Sequence, residues 1–213
     1  MVNNSTASLS RADKASILDG IFMRHSVRRY TDQGVDRTVI DAILDAATHA
    51  PSAHNRQPWR FAVVTSPEAK VRLASMMGER LRADRLADGD SPDVIEADVS
   101  RSRARITTAP LVILACLTMS DMDKYPDARR GDAERIMAIQ SVAAAIQNML
   151  LAAHTLGLGT SWMCAPLFAP GEARAVLDLP DDWEPQALIT TGYPAAEPKP
   201  KEVKPLSSRV VYR

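Results

Sequence analysis

Pro51-Ser52-Ala53-His54-Asn55-Arg56-Gln57-Pro58-Trp59-Arg60-Phe61 decides how the rest of the chain is read. The two prolines stop any helix that reaches them. Between them Ser52, Asn55 and Gln57 put three neutral hydrogen-bonding side chains on one short loop. Trp59 and Phe61 then open an apolar strand through Val64. A single Asn or Gln here would be an ordinary turn residue. Three such groups, pinned between a helix end and a buried strand, form a candidate ligand loop. Neutral donors and acceptors at that density suit a ring or polyol with many polar edges. They suit a metal ion poorly.

Outward from the loop, the chain reads as mixed helix and strand. Asp36 is placed to cap a helix whose inner face holds Val39, Ile40, Ile43, Leu44 and Ala47, ending near Ala50. Upstream, Ser10 is expected to cap a first helix carrying Ile17, Leu18, Ile21 and Phe22, with residues 1–12 loose. Downstream, Ser66-Pro67 starts a helix to about Arg85, and Ser91-Pro92 starts another to about Arg105. Residues 111–117 are continuously apolar and read as a fully buried strand. A long helix is predicted over 132–156, closed by Gly157, with apolar residues from Ile136 to Ala153. It should be buried most of the way round, partly by a second copy of the chain. A short strand at 159–163, a short helix at 170–179 and a last strand at 186–193 complete the domain, 13–194. The order is not a regular strand-helix alternation, which favours an α+β sandwich over a doubly wound sheet. The tail, 195–213, is rich in proline and positive charge and reads as an extended arm over a partner subunit.

The totals bound the function. The chain has 213 residues, 46% hydrophobic and 24% charged, with formal net charge zero. That fits one ordinary globular domain and gives no electrostatic footprint for nucleic acid or an anionic membrane. The longest apolar run is short for a bilayer span, and the first residues lack the pattern of a secretory signal. A cytoplasmic location is expected. Cys116 and Cys164 are the only cysteines, far apart and beside apolar residues, so both read as buried free thiols. The four histidines are scattered, with no spacing for a metal. No serine-histidine-acid arrangement, phosphate-binding P-loop or dinucleotide fingerprint is present. A site rich in polar ligands but without its own nucleophile suits an enzyme whose cofactor does the chemistry.

A second motif stands about 25 residues before the loop: Arg24-His25-Ser26-Val27-Arg28-Arg29-Tyr30. Its guanidinium groups match phosphate oxygens, although a basic helix end satisfying its own carbonyls is an even alternative for the motif alone. Together the two motifs resemble the flavin-binding elements of the nitroreductase family, and the resemblance runs from about Ile17 to the C-terminus. It implies a three-layer sandwich with a mixed, mostly antiparallel sheet flanked by helices, and a homodimer with flavin at the interface. It implies FMN as cofactor and NADH or NADPH as reductant, with no catalytic side chain beyond the flavin itself. Arg24, His25 and Ser26 would hold the phosphate and ribityl end, and Arg28 the pyrimidine edge. Pro51, Ser52, Asn55 and Gln57 would form the second wall. The backbone of Trp162, Met163, Cys164 and Ala165 would lie against the ring. Lys201 matches the family's C-terminal phosphate ligand, with Lys204 and Arg209 as rivals.

Within the family, residues 81–89, 109–113, 125–127 and 177–185 are similar to the FMN-binding C-terminal domain of the bifunctional protein that makes the deazaflavin coenzyme F-420. That resemblance implies an acceptor with an enolpyruvyl double bond, alongside quinones and nitroaromatics. Most of Arg80, Arg82, Arg85, Arg101, Arg103 and Arg105 read as a solvated face of two helices, but a few of them, with Arg129 or Arg130, are candidates to line the mouth for such an anionic substrate, Arg82 and Arg85 being the pair to test. The alternatives are a flavin or deazaflavin-binding module without turnover, and the oxygen-using flavin destructase that makes dimethylbenzimidazole.

Overall fold

The computed structural model describes residues 11–197 and 202–213. Six helices and four strands follow the order α1 (Arg11–Met23), α2 (Arg37–Thr48), β1 (Trp59–Val64), α3 (Pro67–Ala87), α4 (Pro92–Thr107), β2 (Leu111–Leu117), α5 (Ala128–Thr155), β3 (Gly159–Met163), α6 (Pro170–Val176) and β4 (Glu184–Gly192). The strands form one sheet in the order β1-β2-β4-β3, every neighbour antiparallel. The parallel component is a single bridge, Ser26 to Thr160, outside the named strands.

Side-chain alternation across β2 divides the core in two. Leu111, Ile113, Ala115 and Leu117 face one layer, with Ile40, Ile43 and Ala47 of α2 and Val142, Ile146 and Met149 of α5. Val112, Leu114 and Cys116 face the other, with Leu73, Ala74 and Met77 of α3, Ile106 of α4 and Ala173 of α6. The molecule is therefore the expected α+β sandwich of three layers. β2 is buried on both faces, which is why its sequence shows no alternation.

Local signals account for most boundaries. Pro67 and Pro92 occupy first-turn positions, and the Ser66 hydroxyl accepts from the Ala69 N–H at 3.2 Å. Asp36 stands at the N-cap of α2 but makes no side-chain cap bond. Ser10 lies outside the described residues. The long helix departs from expectation at its start, about one turn early. Asp127 is its cap, its carboxylate accepting from the Arg130 N–H at 3.0 Å. Gly131 and the paired arginines had masked that turn. In a single copy of the chain α5 keeps Ile136 54% and Ile139 39% exposed. By length and composition α5 could cross a membrane, yet one face of it forms the core. The outer face of α1 is equally bare at Ile17, Leu18, Ile21 and Phe22.

Candidate flavin site

The residues after α1 run along the free edge of β3. The Val27 N–H donates to the Thr160 carbonyl at 2.8 Å, and Ser26 bridges to Thr160. This approach requires glycine at 159, where a Cβ would stand 2.6 Å from that of Val27. Further on, the Tyr30 hydroxyl donates to the Val27 carbonyl at 2.6 Å, with the Thr190 carbonyl at 2.9 Å sharing the proton. The Thr190 hydroxyl donates in return at 2.8 Å. Burial pushes the phenol up to about 12, the Thr190 bond and the Arg28 charge opposing it. The backbone that carries Arg24, Ser26 and Arg28 is thus fastened to two strands.

The side chains on that backbone are not fastened. Among the described residues, Arg24, Ser26 and Arg28 form no side-chain hydrogen bond or ion pair. Arg56, Arg60, Arg80, Arg82, Arg85 and Arg101 each find a carboxylate. Arg24 is half-buried beside a hollow of about 180 Å³ that His25, His154, Gly157 and Thr160 also line. His25 directs Nδ1 at the Met23 carbonyl, within 2.5 Å. Two cations and a hydroxyl on one short segment could hold an anion. They are not a basic helix end bonded to its own carbonyls.

Two residues beyond Thr160, β3 leads into Trp162, Met163, Cys164 and Ala165. Trp162 is exposed, Met163 packs into the core beside α3, and Ala165 starts a 3-10 turn, Ala165–Leu167. Cys164 is exposed, which corrects its reading as a buried thiol. Its place at the edge of the sheet, just past the last ladder pair, leaves nothing to cover it. Cys116 is buried as expected, and burial pushes its thiol up to about 12.

The loop before β1 has unusual backbone. His54, Asn55 and Gln57 have φ of 48°, 53° and 51°, all left-handed without glycine. The Ser52 hydroxyl accepts from the Gln57 N–H at 3.1 Å, and the Gln57 amide donates to the Asn55 oxygen at 3.1 Å. The Ala53 N–H donates to the Ser141 hydroxyl of α5 at 3.2 Å. Pro51, Ser52 and Ala53 line a hollow of about 320 Å³ with Gln140 and Ser141. Asn55 and Gln57 are exposed.

The two motifs do not meet within one chain. The loop precedes β1, at one edge of the sheet, and Ser26 sits on β3, at the other. They also lie at opposite ends: Trp59 pairs in the row of Leu117 and Glu184, Thr160 in the row of Thr191 and Leu111. Three strand spacings by six residues make this diagonal roughly 25 Å. Along α5 the separation is similar. Ser141 touches the loop and His154 lines the Arg24 hollow, 13 residues apart or about 20 Å.

Other expectations fall as follows. Lys201 lies outside the described residues; Lys204 and Arg209 are exposed. Arg82 pairs with Glu96 at 2.5 Å, and Arg85 with Asp90 at 2.6 Å and with Asp98. These charges clamp α3 to α4 and do not stand free for a substrate. No cluster of metal-ligating side chains occurs among the described residues.

The profile of the Nitroreductase family matches residues 21–193. The chain belongs to the nitroreductase family. A relative in Methanothermobacter thermautotrophicus, named NADH dehydrogenase/NAD(P)H nitroreductase, is 31% identical over 195 residues, covering 91% of this chain and 85% of its own. A nitroreductase from Desulfovibrio desulfuricans, solved in complex with FMN, superposes with a TM-score of 0.70 at 27% identity, over 92% of this chain and 96% of that one. A BluB-like flavoprotein from Clostridium difficile 630 reaches a TM-score of 0.78 at 24% identity, over 92% and 98%, a likeness of fold alone. Tyr30 and Ser141, which hold the two candidate segments in place, were not singled out in the sequence. Ser141 could have been found as a hydroxyl on the inward stripe of an otherwise apolar helix.

Proposed function

We propose that two copies of this chain enclose FMN between them and pass hydride from NADH or NADPH to an electron-poor acceptor of the quinone or nitroaromatic class. The chain is an FMN-dependent NAD(P)H oxidoreductase of the nitroreductase family. The observation that carries the site is the set of groups at Arg24, Ser26 and Arg28 that find no partner among the described residues. They fit FMN by charge and by hydrogen-bonding capacity. Arg24 and Ser26 bind the phosphate and ribityl end, and Arg28 sets positive charge at the pyrimidine edge, where it favours an anionic reduced ring. Bound FMN supplies the hydride-accepting centre; the protein orients it and excludes water. The backbone of residues 162–165 offers the adjacent wall on the same sheet edge.

The opposite wall must come from a second copy. Ser52, Asn55 and Gln57 lie roughly 25 Å from Ser26 within one chain by strand geometry, too far to close one site. The bare apolar faces of α1 and α5 supply the surface for that copy. Exposed Val203, Leu206, Val211 and Tyr212 give the C-terminal arm an apolar side to lay on it. An acceptor such as the anionic deazaflavin precursor calls for cations at the mouth. Arg82 and Arg85 are committed to α3 and α4, which leaves Arg103, Arg105 and Arg129 as the candidates for that role.

Anaerobic mixing with NADH and with NADPH tests the reading. Flavin absorbance should bleach with one or both, then return on adding quinone or nitroaromatic. A flavin that neither nucleotide bleaches would make the protein a binding module. Recovery only with the deazaflavin precursor would assign the narrower substrate, and destruction of the reduced flavin when air is then admitted would assign the destructase reaction. Released cofactor should chromatograph as FMN. Arg24→Ala should lower FMN affinity about ten- to a hundred-fold, the worth of a charge-assisted hydrogen bond at roughly 1.5–3 kcal/mol.

A further inference from the structure

The loop of residues 51–57 holds three non-glycine residues in left-handed backbone, at His54, Asn55 and Gln57. Such conformations persist only where the surroundings over-determine them. Internal bonds supply part of that, through the Ser52 hydroxyl and the Asn55 and Gln57 amides. The rest comes from outside the loop. Arg56 projects between the left-handed residues and pairs with Asp123. The backbone N–H of Asp123 donates at 3.1 Å to Oε1 of Glu134, on α5. Glu134 is fully buried, and its other oxygen has no partner. Seven residues on, on the same face of α5, Ser141 accepts from the Ala53 N–H at 3.2 Å. Two points of one rigid helix therefore hold the loop, one directly and one through Asp123 and Arg56.

A buried carboxylate is costly, and Glu134 satisfies only one N–H with it. A fold that needed only to fill this space would favour an apolar residue. The placement makes sense if the carboxylate fixes Asp123, and Asp123 fixes Arg56. Arg60 reinforces the same joint, pairing with Asp121 at 2.5 Å. Asp182 ties the other flank, accepting from Thr118 at 2.7 Å and Ser120 at 3.1 Å.

We infer that Glu134, Asp123 and Arg56 are positioning residues for the flavin: they hold residues 51–57 in the left-handed form that presents Asn55 and Gln57 to the ring. The inference rests on the assignment of this loop to FMN. Amide hydrogen exchange on the full-length chain, with and without FMN, tests the bracket independently of the flavin. Without FMN, Asp123→Ala should speed exchange at Ala53 and Gln57 at least ten-fold and leave β2 amides unchanged. Unchanged exchange at the loop overturns the bracket. FMN titration then tests the consequence. Asp123→Ala and Arg56→Ala should each weaken FMN at least ten-fold, the double variant no further. The swapped pair Arg56→Asp with Asp123→Arg should recover most of it, which a merely structural loss would not show. Faster exchange with FMN affinity within two-fold of the parent overturns the positioning role. Asn55→Ala distinguishes the failures: if it too leaves affinity unchanged, the assignment of the loop to FMN falls; if it weakens binding, only the bracket falls.

Discussion

Removing one oxygen atom, in Tyr30→Phe, should loosen the anion-binding segment without touching any residue that meets the flavin. The phenol is the pin between Val27 and β4, bonded at 2.6 Å to Val27 and 2.9 Å to Thr190. Phenylalanine keeps the packing but leaves part-buried carbonyls with one donor fewer. Such a loss costs about 1–3 kcal/mol. The pH dependence gives a second handle. The folded phenol titrates at about 12, above its ordinary 10. Its stabilisation is therefore complete below pH 10 and is lost as pH rises toward 12. Two units of displacement correspond to about 2–3 kcal/mol, comparable with the bond loss. Urea unfolding at pH 8 should show Tyr30→Phe less stable than the parent. The gap should narrow steadily between pH 10 and pH 12. At pH 8, FMN affinity should fall several-fold, because Arg24 and Arg28 sit on the released backbone. Equal midpoints at pH 8, or a gap independent of pH, would refute the reasoning.

Two further changes probe the same edge. Gly159→Ala places a methyl 2.6 Å from the Val27 Cβ, so the segment must leave β3; FMN retention should drop more than ten-fold while the helical circular dichroism signal is kept. A thiol reagent at neutral pH should modify one cysteine per native chain, the exposed Cys164, and reach Cys116 only after unfolding. Two fast thiols in the native protein would contradict the burial of β2.

Strand and helix positions were legible in this chain where the residues themselves impose them. Ser-Pro pairs start α3 and α4, and the unbroken apolar run of β2 marks a strand covered on both faces. The loop of residues 51–57 was legible as a loop for the same reason: its two prolines stop α2 short and set the start of β1. What stayed hidden depends on distant partners. Asp127 starts α5 early by bonding a backbone N–H that sequence cannot show engaged. Cys164 lies among apolar residues in sequence, but the sheet ends beside it. The sequence could not say which of the arginines on α3 and α4 stand free, because the pairing of the two helices brings Glu96 to Arg82 and Asp98 to Arg85. Nothing in the sequence singles out Glu134, which the packing of the 118–123 turn on α5 buries.

The diagonal placement of the two motifs also has a genetic meaning. In the proposed dimer each flavin takes residues 24–28 from one subunit and residues 51–57 from the other. A variant crippled at Arg24 and another crippled at Asn55 are each inactive alone. Co-expressed, they form mixed dimers in which one site inherits both lesions and the other inherits neither. With random pairing about half the dimers are mixed, so about a quarter of all sites are whole. Two dead alleles of this gene should therefore complement each other, provided their lesions lie on opposite edges of the sheet. Two lesions on the same edge should not.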